Sequence, residues 1–185
     1  MSYGKFSGNP RTEWLADAGA DRDMRVLEPF WYLDPEGRRW DVPAGTIING
    51  ASIPRTLWSS VGSPYTGEYR RAALVHDAAI GREGVLRAEA DAMFHVACLC
   101  GGCSVLQAKL LYAGVRLGTW SSANQVFTLQ ALAAAPATPR LPGQQTPREL
   151  ELRARYTIIA RDLMAAGDNF AEIQAVVDRH LGHSP

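Results

Sequence analysis

A chain of 185 residues, 46% hydrophobic and 21% charged, has enough apolar material for one core and too little charge for wholesale disorder. Lys plus Arg number 19, Asp plus Glu number 19, and no basic stripe recurs at helical spacing, so nothing in the overall charge favours nucleic acid or anionic lipid. The opening MSYGKFSGNP lacks an apolar run behind a basic end, and no apolar stretch approaches the roughly 18 residues of a membrane span, so neither a leader nor a transmembrane segment is expected.

Residues 1–24 read as a polar, Gly- and Asp-rich arm anchored by Trp14 and Leu15. From Arg25 the aromatic and β-branched run RVLEPFWYL reads as a strand. Asp34-Pro35-Glu36-Gly37 is a turn signal, and Arg38–Val42 would return as the second strand of a hairpin. The Gly-punctuated segment PAGTIINGASIPR then leads into a helix, with Ser52 expected as its cap and Pro54 in its first turn.

Three helices follow, Thr66–Ile80, Leu86–Cys100 and Ser104–Arg116, the last opening on the capping box Ser104-Val-Leu-Gln107; residues 121–135 would add a fourth. The Pro-rich stretch 136–147 reads as a linker closing a core domain of residues 25–135. Thr146-Pro147-Arg148-Glu149 is a second capping box, and residues 148–185 read as an αα-hairpin docked on the same domain, on another copy or on a partner. The expected fold class is therefore α+β and mainly helical: an N-terminal β-hairpin platform, a helical bundle and a C-terminal helical hairpin.

The strongest chemical signal is AALVHDAAI (72–80), a helix apolar nearly all round that carries His76 and Asp77. A buried imidazole needs a hydrogen-bonding partner, and Asp91, on the next helix after the turn GREG, is placed to supply one. An imidazole held by a carboxylate at one nitrogen is a general-base arrangement. Asp77 projects about 100° away from His76, where it could bind a hard cation. Beside this stands a structural reading, in which the pair ties two helices together and Arg87, four residues before Asp91, occupies that carboxylate.

His95 lies one turn beyond Asp91, so His76, Asp91 and His95 would form a two-His, one-carboxylate metal set if the helices cross suitably. His95, Cys98, Cys100 and Cys103 suggest a zinc knuckle, but Cys98 and Cys100 diverge on a helix and no second ligand pair appears, so the cysteines read as small buried hydrophobes. Three cysteines within six positions are no secreted disulfide framework, so synthesis in a reducing cytoplasm is expected.

The blocks VPAG (42–45), NGASIPR (49–55), AALVHD (72–77), RAEADAMF (87–94) and LLYAGVRLG (110–118) resemble, in that order, a family of unknown function widespread in bacteriophages and prophage-bearing bacteria. His76, Asp77, Arg87, Asp91 and Phe94 match it. That family carries Asp where this chain has Asn49, a neutral and weaker ligand, and an aromatic residue where it has Ile80. The resemblance implies phage or prophage origin; it does not imply an activity. A fainter similarity is to bacterial phospholipases A2, in which a helix bearing HD faces a helix bearing a partner Asp. It implies His76 as the activator of water, Asp91 as its orienter and Asp77 as a calcium ligand, although neither the flanking disulfides nor the Gly-rich calcium loop of those enzymes is evident.

Two functions of different class follow. One is a hydrolase of cell-envelope bonds, phospholipid ester or peptidoglycan amide, with His76 and Asp91 catalytic. Asp77, Asn49 and His95 would then hold a divalent cation such as calcium or zinc, supported by Ser52, Arg55 and Arg87. The other is a non-catalytic phage tail, baseplate or host-interaction protein. In it His76, Asp77 and Asp91 are structural, protein partners dock through the C-terminal hairpin, and the chain is incorporated in a phage particle.

Overall fold

The run from Arg25 to Leu33, expected as one strand, forms two. The computed structural model describes residues 2–16, 23–50, 52–62, 66–132 and 145–182, side chains of 123–132 excepted. It contains β1 (Lys5–Phe6), β2 (Thr12–Trp14), β3 (Met24–Val26), β4 (Phe30–Leu33), β5 (Arg39–Val42) and β6 (Ile47–Ile48). They form two antiparallel sheets of order β1-β4-β5 and β2-β3-β6. Pro29, with no N–H to give a ladder, sits where the chain leaves one sheet for the other. Residues 5–6 and 12–14, inside the stretch expected as a polar arm, are paired strands too short to show alternation.

The β4–β5 hairpin forms as expected. Phe30 pairs with Val42 and Tyr32 with Trp40, all four buried. The Asp34 carboxylate closes the turn by accepting from Arg38 N at 2.7 Å and Trp40 Nε1 at 2.9 Å, and Gly37 takes φ 85°.

Ser52 is not a helix cap. Its φ is 57°, and the next element is a 3-10 turn (Arg55–Leu57) preceded by Pro54 without a side-chain cap, leading into the short α1 (Trp58–Val61). Tertiary packing overrides the capping preference: a Cβ added at Gly118 would lie 2.0 Å from the Ser52 carbonyl oxygen, so the 52–54 segment rests directly on a long helix.

That helix, α4 (Val105–Leu132), replaces the two expected over 104–116 and 121–135. Gly114 and Gly118 lie within it as contact points for Ile53 and Ser52. Ser104 accepts from Gln107 N at 3.1 Å, as its capping role required.

Ahead of α4 run α2 (Arg70–Ile80), which begins four residues later than Thr66, and α3 (Arg87–Gly101). The latter ends on Gly102 in the left-handed conformation, with Cys103 N bonded to Cys98 O. Linker positions 136–144 lie outside the described residues. The capping box at Thr146 is present in both directions and opens α5 (Pro147–Ala165), which returns as α6 (Phe170–Leu181).

The hairpin packs on its own chain: Tyr156 Oη donates to Leu110 O, Lys109 Nζ to Ala166 O, and Leu152, Ile159, Leu163, Ile173 and Val177 are buried. The result is α+β and mainly helical. Among the described residues no helix is long and apolar enough to cross a membrane.

Candidate functional site

The tight α2–α3 connection brings His76 and Asp91 together, with Nε2 and Oδ1 2.7 Å apart and both side chains fully buried. Nε2 is thus the ring nitrogen that meets the carboxylate. His76 Nδ1, the nitrogen a general base would use, is buried without a partner, and the ring packs against Phe94 at 5.1 Å.

Asp91 has more company than the two helices supply. Arg87 Nε approaches Oδ1 at 3.7 Å, within ion-pair range but too long for a hydrogen bond. From α4, Thr119 Oγ1 donates to Oδ2 at 3.3 Å and Arg116 stands 3.8 Å away, while its other nitrogen binds Asp178 of α6 at 2.9 Å. Asp91 is therefore a junction of α2, α3 and α4, with α6 one step beyond. Arg116 and Thr119 went unnoticed in the sequence, although a lone cation within LLYAGVRLG was the available signal.

Asp77 turns away from His76, as its position on the helix requires, and is half-buried. Its Oδ2 accepts from the backbone N–H of Asn49 and of Gly50, 2.9 Å each, while Oδ1 is buried and unpartnered. Asn49 thus meets Asp77 through its main chain. Asn49, Ser52 and Arg55 do come together, with Asp23 and Trp58, around an open hollow of about 410 Å³, where the Arg55 guanidinium lies 5.3 Å from the Trp58 ring.

His95 goes elsewhere. Its ring packs on Phe170 at 5.0 Å and Tyr112 at 6.1 Å, and both nitrogens are buried without hydrogen bonds. Burial, with the Lys109 ammonium adding to it, pushes its pKa down to about 4. The cysteines sit at the α3 terminus, where Cys98 and Cys103 are buried and hydrogen-bonded to each other. Among the described residues, no three His, Cys, Asp or Glu side chains cluster as a metal site would require.

With this geometry in place, comparison with known proteins adds a family likeness. Residues 24–115, just under half of the chain, match the family described as "Protein of unknown function (DUF1353)". That span contains β3–β6, α2, α3 and the first turns of α4, and so every residue of the His76–Asp91 site except Thr119, Arg116 and Asp178.

Two relatives come from Sinorhizobium fredii (strain NBRC 101917 / NGR234). The uncharacterized protein y4jT is 40% identical over 75 residues, which are 40% of this chain and 22% of the relative. The uncharacterized protein y4iH is 35% identical over 102 residues, 55% of this chain and 43% of the relative. The matched stretch thus spans less than half the length of either. No solved structure matches.

Proposed function

We propose that the chain is a non-catalytic interaction protein, in which His76 and Asp91 hold the helical bundle together. The observation that carries this reading is that both side chains are fully buried and line none of the described hollows. A substrate needs a path to its general base, and this pair is sealed. Asp91 has the partners of a structural hub, reaching three helices through His76, Arg87, Arg116 and Thr119.

The docking surface in this reading is the outward face of α5. Leu150, Ile158 and Met164 are 53%, 45% and 62% exposed and fall within about 120° of one another around the helix. The resemblance to a phage and prophage family supports a virion or host protein as the partner, with incorporation of the chain in the particle.

A second reading, hydrolysis of an envelope bond, is favoured by one observation: the unpartnered Nδ1 of His76 is where a general base would take a proton from water. One experiment separates the two. Wild type and His76→Ala are incubated with phospholipid vesicles and with peptidoglycan, calcium or zinc present, and their melting temperatures are compared. The interaction reading expects no product from either protein and a lowered melting temperature for the variant. Product released by wild type and lost in an equally stable His76→Ala would establish the hydrolase.

A further inference from the structure

Between the β2-β3-β6 sheet and α2 lies a hollow of about 250 Å³ that the interaction reading leaves unused. One wall is a cross-strand row, Trp14 paired with Met24 and Met24 with Ile48. The other is the face of α2 carrying Arg70, Ala73 and Asp77, where the methyl of Ala73 leaves room that a longer side chain would fill. Trp14, 58% exposed, stands at the mouth.

The charges in this hollow are unsatisfied in a particular way. Asp77 has one oxygen held by two backbone N–H groups and the other buried with no partner, and no cation pairs with it among the described residues. A carboxylate so placed is costly until a cation reaches it. Arg70, exposed and without a carboxylate partner among the described residues, lies seven positions earlier. Seven residues return to the same helix face about 10 Å along the axis. The helix dipole has the same polarity, favouring an anion beside Arg70 at the N-terminus and a cation beside Asp77 in the last turns.

A bare organic cation would be repelled by Arg70 and a bare anion by Asp77, whereas a ligand with opposite charges at its two ends meets both. An extended peptide advances about 3.4 Å per residue, so two or three residues span the separation. We propose that this hollow binds a short zwitterionic peptide, its amino end at Asp77, its carboxylate at Arg70 and an apolar side chain against Trp14, Met24 and Ile48.

Calorimetry of the full chain with the tripeptide Ala-Leu-Ala tests this. The free tripeptide should bind saturably with a dissociation constant below about 1 mM. N-acetylation and C-terminal amidation should each weaken it on the order of tenfold, the loss of one charge-assisted contact. Arg70→Gln, at an exposed position that does not threaten the fold, should make acid and amide bind alike while the acetyl form stays weak. Asp77→Asn should abolish the penalty for acetylation.

No saturable binding of Ala-Leu-Ala by wild type overturns the proposal. So does equal binding of the capped and free forms, and so does an acid-over-amide preference that survives Arg70→Gln. Binding of leucinamide as tight as that of Ala-Leu-Ala would mark the hollow as a site for organic cations only and overturn it likewise.

Discussion

Arg116 and Asp91 face each other at 3.8 Å inside the bundle, and Arg116 also binds Asp178 at 2.9 Å, so one guanidinium neutralises carboxylates from two other helices. Removing it leaves both without their shared cation. Arg116→Met should therefore cost about 3–5 kcal/mol in urea unfolding, the range for breaking one side of a buried pair. Arg87→Met offers the contrast: this side chain is 30% exposed and 3.7 Å from the same carboxylate, and its loss should cost under about 1 kcal/mol.

Gly114 and Gly118 make opposite predictions although they lie one turn apart. A Cβ at Gly118 would strike the backbone of Ser52, while at Gly114 the nearest atom is an Ile53 methyl at 3.4 Å. Gly118→Ala should lower stability by about 2 kcal/mol or more, since backbone must shift. Gly114→Ala should be neutral or gain up to about 1 kcal/mol in helix propensity. Thermal unfolding of the two variants checks the pair.

His95 makes stability depend on pH. Its pKa lies near 4 when folded and near 6.5 when exposed, so between those values the unfolded chain takes up a proton that the folded chain refuses. Stability from this residue is therefore full above about pH 6.5 and falls as pH drops, by roughly 3 kcal/mol at pH 4. Urea midpoints measured from pH 7 to pH 4 should show that decline. His95→Phe, which keeps the aromatic packing against Tyr112 and Phe170 without a titrating group, should flatten it.

The Thr146 capping box satisfies the first N–H groups of α5 in both directions. Thr146→Ala should destabilise by about 1 kcal/mol, a loss that a shift in urea midpoint at unchanged slope would report.

What could be read from the residues was what local chemistry decides. The Asp34–Gly37 turn and its hairpin, the Thr146 capping box, the Ser104 cap and the His76–Asp91 contact followed from spacing and from the intolerance of buried polar groups to isolation. What escaped depended on contacts between distant segments. Pro29 separates two sheets only because short strands at residues 5–6 and 12–14 wait to pair on either side. Ser52 lost its capping role to the surface of α4, where Gly114 and Gly118 are the points of closest approach. His95 shares a helix with Asp91 yet its ring packs against Tyr112 of α4 and Phe170 of α6. Arg116 was legible only in hindsight, since nothing local says which carboxylate a buried cation will meet.

The most direct test of the central claim is equilibrium urea unfolding of His76→Ala. If the His76–Asp91 bond holds α2 to α3, the variant should lose about 2–4 kcal/mol, through the cavity it opens and the buried Asp91 oxygen it strands. An unchanged urea midpoint would contradict the claim, since the pair would then hold nothing together.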